Sequence, residues 1–376
     1  MRIGGNDYNL RELAGAFGDL GTLIPFLVGY ITISNMDPVG ILVGFGSFKI
    51  IAGLYFKTPV PIQPMKAIGT AAISHAGALT AGAIWVAGLF TGVFWLLMGL
   101  TGAVTWIAKL TSRPVVHGII LGLGLGFILE GVRMMETNPT LALLAAVLTF
   151  LLLSHERIPT MLVLLGVGGL MAMATEPALL DEFGQMSFRL RLPTFALTKI
   201  GQHDLLTGVL VLGLPQVALT LGNAIIATVE ENNKLFPSHL LTVKAVAIDH
   251  GIMNLVATSM GGVPMCHGAG GMAAHIRFGA RTGGALVMLG MLVLFVGLFC
   301  ADSIAILFKL FPRALLGVIL MFGGLELAAG MQGNHVRKEE RYVMLLTAGV
   351  SMWNMGVGYG VGLVLWHAYQ RGWLKA

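Results

Sequence analysis

Charge is what this sequence has least of. Of its 376 residues only 11% are charged, under half of the roughly 25% usual in soluble domains. That excludes a water-soluble globule, because there is too little polar surface to coat one. Cysteine is nearly absent. Cys266 and Cys300 are the two present, both in apolar surroundings, which excludes a disulfide framework. A cleavable signal peptide is missing as well. The N-terminus carries Asp7, Arg11, Glu12 and Asp19, with no small-residue cleavage site behind a compact apolar core. The first apolar stretch is therefore expected to stay in the mature chain. There is no Ser/His/Asp or Cys/His set for nucleophilic catalysis, and no ATP-binding motif. Cys266-His267 has no second Cys/His pair at ligand spacing. Enzyme, metal and cofactor roles are not expected. The formal charge of +5 is not laid out as a basic stripe with interleaved aromatics, so nucleic acid is not an expected partner.

What is present is apolar length. Hydrophobic residues make up 56% of the chain and fall in blocks such as Ile84–Leu100, Leu141–Leu153 and Ala285–Cys300, several near the ~20 residues that span a bilayer. The fold class read from this is an all-α polytopic membrane protein. Breakers and apolar runs give about fourteen segments, near 10–30, 38–56, 62–78, 82–101, 114–131, 139–153, 158–174, 205–229, 241–259, 265–278, 283–300, 313–330, 341–353 and 355–371. One long polar stretch, 176–204, separates residues 1–175 from 205–376. With both termini inside, the cytoplasmic loops hold 15 Lys and Arg against 6 outside, as the positive-inside rule requires.

The two halves resemble each other. Val60-Pro61-Ile62-Gln63-Pro64-Met65-Lys66-Ala67 aligns without a gap on Val263-Pro264-Met265-Cys266-His267-Gly268-Ala269-Gly270, at an offset of 203 residues. Gly18-Asp19 and Gly222-Asn223 align at 204. Seven crossings per half would give the halves opposite orientation. Inverted repeats with paired, Pro/Gly-broken short segments mark a transporter site near the bilayer midplane.

Pro59, Pro61 and Pro64 cannot stand mid-helix, so an extended entry followed by a helix from Pro64 or Met65 is expected. A helix that starts inside the membrane aims free N–H groups and a positive dipole end at a cavity, which suits an anion. Gly268 and Gly270 would let a ligand approach the matching start in the second half. The candidate binding residues are therefore Gln63, Pro64, Met65, Lys66 and Ala67, with Cys266, His267, Gly268, Ala269 and Gly270. Lys66 either faces the site or snorkels to the interface. His267 either donates to the anion, carries a proton or is structural. Asp19 either pairs with Lys66, takes a coupling proton or packs helices. Thr22, Asn223 and Glu230 are further supporting candidates, with Glu231 expected in solvent. Gly122-Leu123-Gly124-Leu125-Gly126 lacks the strand and acidic partner of a nucleotide loop and is expected to serve close helix packing.

Phe17-Gly18-Asp19-Leu20-Gly21-Thr22, Pro61-Ile62-Gln63-Pro64-Met65-Lys66-Ala67, Leu221-Gly222-Asn223-Ala224-Ile225-Ile226-Ala227-Thr228 and Pro264-Met265-Cys266-His267-Gly268-Ala269-Gly270-Gly271 together resemble the high-affinity molybdate transporter family, a branch related to the SulP sulfate permeases. The resemblance runs from about residue 8 to 371. It implies the fold shared with uracil permeases: two inverted seven-segment repeats, a core of segments one to four and eight to eleven, and a gate of segments five to seven and twelve to fourteen. It also implies a secondary transporter in the inner membrane that imports molybdate, with sulfate or another anion as the alternative. The partners expected are molybdate, sulfate or tungstate, the lipid bilayer, a coupling proton, with uniport or exchange as the alternatives, and a second copy of the chain. The chain stops at Ala376, so regulation through the cytoplasmic domain that ends many sulfate permeases is not expected.

Overall fold

In hydrocarbon a backbone must satisfy its own hydrogen bonds, and the long apolar runs here answer that demand as helices. The structure is a computed structural model. It describes all residues except 75–78, 111, 153–159, 330–336 and 374–376, so the ends of four expected segments lie outside the described residues.

Helices begin where a short polar side chain precedes an apolar run. After a small hairpin, β1 (Arg2–Ile3) and β2 (Asn6–Asp7), Asn9 caps α1 (Leu10–Ala16) by accepting from the N–H groups of Arg11 and Glu12. A 3-10 turn at Phe17–Asp19 divides α1 from α2 (Leu20–Val28). Asp37 caps α3 (Pro38–Phe56), which stops at Lys57 in the left-handed region, φ 58°. The prolines that follow hold the chain extended through β3 (Gln63–Pro64) to α4 (Lys66–Ser74). Thr80 caps α5 (Ala81–Leu100). Next come α6 (Ala103–Leu110), α7 (Arg113–Met135), α8 (Pro139–Leu152), α9 (Thr160–Thr175) and α10 (Ala178–Gly184).

The second half opens with one long helical run. α11 (Gln202–Leu206) passes through a π stretch, Thr207–Gly213, into α12 (Leu214–Leu219). A second π stretch, Thr220–Ala227, leads to α13 (Thr228–Leu235). Thr242 caps α14 (Val243–Ser259), and β4 (Met265–Cys266) leads into α15 (Ala269–Arg277). α16 (Gly284–Phe299), α17 (Ile304–Lys309), α18 (Arg313–Ala329), α19 (Lys338–Trp353) and α20 (Met355–Gln370) complete the chain.

Four helical stretches among the described residues are long and apolar enough to cross a membrane unaided: Leu10–Thr32, Pro38–Phe56, Ala81–Leu100 and Arg113–Met135. Counting three bent helix pairs as single spans brings the number to seven. Large apolar side chains such as Leu97, Phe150, Leu170, Phe295 and Val364 are exposed, the pattern of a surface that faces lipid rather than water.

The packing follows a plan. α3 packs on α16, and α5 on α14. α15 lies against α1 and its 3-10 turn, while α4 lies against α12 and the first π stretch. α18 packs on α2, and α7 on the second π stretch. If α3 is exchanged for α14, α4 for α15, α5 for α16, α7 for α18, and α1–α2 for the α11–α13 run, this set of contacts maps onto itself. α7 and α18 cross where Gly124 meets Gly324 and Gly131 meets Gly317, positions at which an added Cβ would strike the facing backbone. In the Gly-rich run of α7, Gly122 and Gly124 thus serve close packing, as the sequence suggests, whereas a Cβ at Gly126 would meet nothing within 4 Å.

The central polar stretch is more than a spacer. Its Arg189 and Arg191 N–H groups donate to the Phe299 and Leu298 carbonyls at the end of α16. The Arg191 guanidinium bridges Asp37 at 2.9 Å and Asp302 at 2.6 Å. It therefore ties together the ends of α3 and α16, elements far apart in sequence.

Candidate functional site

The two halves meet at the residues that precede their half-helices. β3 pairs with β4 antiparallel, Gln63 opposite Cys266 and Pro64 opposite Met265. The Met65 N–H donates to the Pro264 carbonyl at 2.9 Å, and the Cys266 thiol lies 3.6 Å from the Pro64 carbonyl. α4 and α15 have nine residues each among those described, about 13 Å of helix, well short of the ~30 Å hydrocarbon layer. Both therefore begin within the protein, their N-termini brought together by the strand pair. This places Gln63, Pro64, Met65, Lys66 and Ala67 beside Cys266, Gly268, Ala269 and Gly270.

One side chain of the helix before each half-helix reaches across to hold its strand. Lys49 of α3, fully buried, donates from Nζ to the Ile62 carbonyl at 2.8 Å. Asn254 of α14 donates to the Met265 carbonyl and accepts from the Met265 N–H, both at 2.8 Å. Ile62 and Met265 are equivalent in the two halves, so the two contacts match. The difference is physical: Lys49 adds a positive charge and Asn254 does not.

Gln63 is the hub. Its Nε2 donates to Asp19 Oδ1 and, at 2.9 Å, to Thr22 Oγ1; the Thr22 hydroxyl also donates to Asp19 Oδ1. A Cβ on Gly271 would overlap Gln63 Nε2, and one on Gly268 would overlap Gln63 Oε1. These two glycines are needed for the close approach of the amide to the start of α15. Asp19 sits at the 3-10 turn and Asn223 in the second π stretch, so both helices are irregular where they flank the half-helices. Asp19 Oδ2, Gln63 Oε1 and Asn223 Oδ1 are buried without a hydrogen-bond partner among the described residues.

Lys66 Nζ is also buried, without a hydrogen-bond partner among the described residues, 4.1 Å from the centroid of the Phe127 ring. It neither snorkels to an interface nor bonds Asp19. Phe127 itself packs against Gly270, so it links the starts of the two half-helices. The Ala67 N–H, in the first turn of α4, donates to Gln216 Oε1 at 2.9 Å. Lys49 and Lys66 thus both lie within electrostatic reach of Asp19, and an ammonium group in this position favours an anion.

Two candidates are placed elsewhere. His267 turns away from this centre: Nδ1 lies 3.0 Å from the Pro61 carbonyl and Nε2 2.7 Å from Asp249 Oδ2, with Phe56 and His250 against its ring. Glu230 is exposed and Glu231 is buried, the reverse of the expectation. Each π stretch adds a residue to its turn, which rotates everything beyond it by about 100° relative to a straight helix. Asn254, Gln216, Phe127 and Asp249 were missed, because a lone polar or aromatic residue on an apolar helix has no local signature.

Comparison with solved structures defines the class. The transmembrane domain of a cyanobacterium bicarbonate transporter superposes with a TM-score of 0.59 at 16% identity, covering 94% of this chain and 97% of that one. The murine Solute Carrier 26 family member A9 anion transporter, in its inward-facing state, gives 0.64 at 14% identity, covering 100% and 70%. The fold is therefore that of these anion transporters. Residues 11–127 and 208–327 match the family described as "Molybdate transporter of MFS superfamily". Arabidopsis thaliana Molybdate transporter 2 is 33% identical over 94% of this chain and 86% of its own, and Molybdate transporter 1 of the same plant is 28% identical over 95% and 88%. The chain belongs to the molybdate transporter family. It is a membrane transporter and not an enzyme.

Proposed function

We propose that this chain carries molybdate across the inner membrane as a secondary transporter, binding it between the starts of α4 and α15. The observation that carries this reading is the paired half-helix N-termini with the buried, unpartnered Lys66 amine beside them. Two helix starts and a cation supply donors and positive potential without an arginine clamp. The self-mapping packing supports two repeats, which on this reading are inverted, with seven crossings each, fourteen in all, and both termini cytoplasmic. On this reading α1–α5 and α11–α16 form a core that moves against a gate of α7–α9 and α18–α20. Import is driven by protons, and a second copy of the chain completes the assembly.

Binding of molybdate to the purified protein tests the reading, with sulfate and tungstate as competitors. Saturable binding that tungstate displaces and excess sulfate does not is the expected result. Lys66→Ala should weaken it by at least tenfold; unchanged affinity would remove Lys66 from the site. The bicarbonate- and anion-transporter folds favour one second reading, a broader oxyanion carrier. Equal displacement by sulfate would establish that instead.

A further inference from the structure

His267 was a candidate ligand, yet both of its ring nitrogens are committed to acceptors. A carbonyl oxygen cannot donate, so Nδ1 must carry a hydrogen toward Pro61, at 3.0 Å. The 2.7 Å contact between Nε2 and Asp249 Oδ2 then needs one hydrogen more. It rests either on the ring, giving an imidazolium beside a carboxylate, or on the carboxyl, which then donates to Nε2. In both forms the pair holds one proton beyond a neutral imidazole and a carboxylate, and the proton belongs to the pair.

The surroundings make this proton exchangeable and mechanically relevant. His267 is fully buried, whereas the Asp249 side chain is 17% exposed, so the pair reaches from the interior to the protein surface. The groups that face it can be named element by element. α14 contributes Asp249 itself and His250, whose ring lies 4.8 Å away and whose Nδ1 donates to the Val246 carbonyl at 3.3 Å. α3 contributes Phe56, edge-on at 5.8 Å, and Lys49, which holds the Ile62 carbonyl next to Pro61. β4 contributes the buried Cys266 thiol. Once the extra proton leaves, one ring nitrogen presents a lone pair to an acceptor, and either the Pro61 or the Asp249 bond is lost. Pro61 lies two residues before Gln63, and His267 immediately precedes Gly268 at the start of α15. The proton therefore controls a brace between the entries to both half-helices.

We propose that the His267–Asp249 pair takes up and releases the coupling proton. The proposal rests on the transport reading above. In each cycle a proton from water bonds to the pair on one side of the membrane, and the same bond breaks to return it to water on the other. Wild-type protein in liposomes loaded with a pH-sensitive dye, given external molybdate at zero membrane potential, should acidify the lumen as molybdate enters. In Asp249→Asn, labelled-for-unlabelled molybdate exchange should continue while its pH dependence flattens and molybdate-driven proton entry falls at least tenfold. Asp249→Glu, which restores a carboxylate, should recover coupling with a displaced pH midpoint. Wild-type uptake without proton entry overturns the proposal, as does an Asp249→Asn variant with wild-type pH dependence. If Asp249→Asn does not assemble, Asp249→Glu with an undisplaced midpoint overturns it. Absence of any saturable molybdate uptake by the wild type would instead remove the transport reading, and this assignment with it.

Discussion

At the scale of single residues, the centre depends on how closely Gln63 approaches the start of α15. Gly271→Ala would drive a methyl into the Gln63 amide and displace it from Asp19 and Thr22. Molybdate affinity should fall about tenfold or more, while Gly349→Ala, on a helix face with nothing within 4 Å, should leave it unchanged or slightly raise stability. Equilibrium binding on both variants checks this. Asn254→Leu should act differently. It strips the Met265 N–H and carbonyl of their partner, at a cost of about 1–3 kcal/mol, visible as a lower unfolding temperature in detergent. Gln63 and Lys66 were legible because prolines punctuate the chain around them, and Asp19 because a carboxylate inside an apolar run is conspicuous. Asn254 and Gln216 were not. Gln216 meets Ala67 from 149 residues away, and no local pattern marks such a partner.

At the scale of elements, the strand pair sets the register of the two half-helices. Facing residues on such a pair have Cα atoms about 4.5–5.5 Å apart, within the span of a disulfide. Gln63→Cys, in a Cys300→Ser background, should therefore form an intramolecular disulfide with native Cys266 under mild oxidation. Intact-mass measurement before and after reduction would detect it, and its absence would mean that the register of β3 and β4 differs. The positions of the half-helices were readable from proline and glycine spacing, since a proline removes a donor and ends a helix wherever it stands. The π stretches were not, because no residue type demands them. They put Glu231 inside and Glu230 outside, and only the helix as built reveals the changed phase.

At the scale of the whole molecule, a ligand that binds only the folded form raises stability with the logarithm of its concentration above its Kd, by about 2.7 kcal/mol at 100 times its Kd. Molybdate should accordingly raise the unfolding temperature of the wild type, and Lys66→Ala should shift that response to at least tenfold higher molybdate. A thermal series at increasing concentration measures both. The exposed cluster in which Lys309 meets Glu176 and Glu182 should matter far less. Pairs of this kind contribute about 0–1 kcal/mol, so Lys309→Ala is expected to unfold close to the wild-type temperature.

Composition and spacing by themselves determined that this chain lives in a membrane, that it is helical and where its two short helices begin. Those properties follow from local physics: hydrocarbon demands internal backbone bonding, and prolines and glycines mark where a helix fails. Tertiary structure alone decided which buried groups share a centre. It joined Gln63 to Asp19 and Gly271, left Lys66 over Phe127, and turned His267 away to Asp249. Such contacts depend on the angles at which helices far apart in sequence cross and on the phase each carries into the crossing, and neither quantity is written in any short stretch of residues.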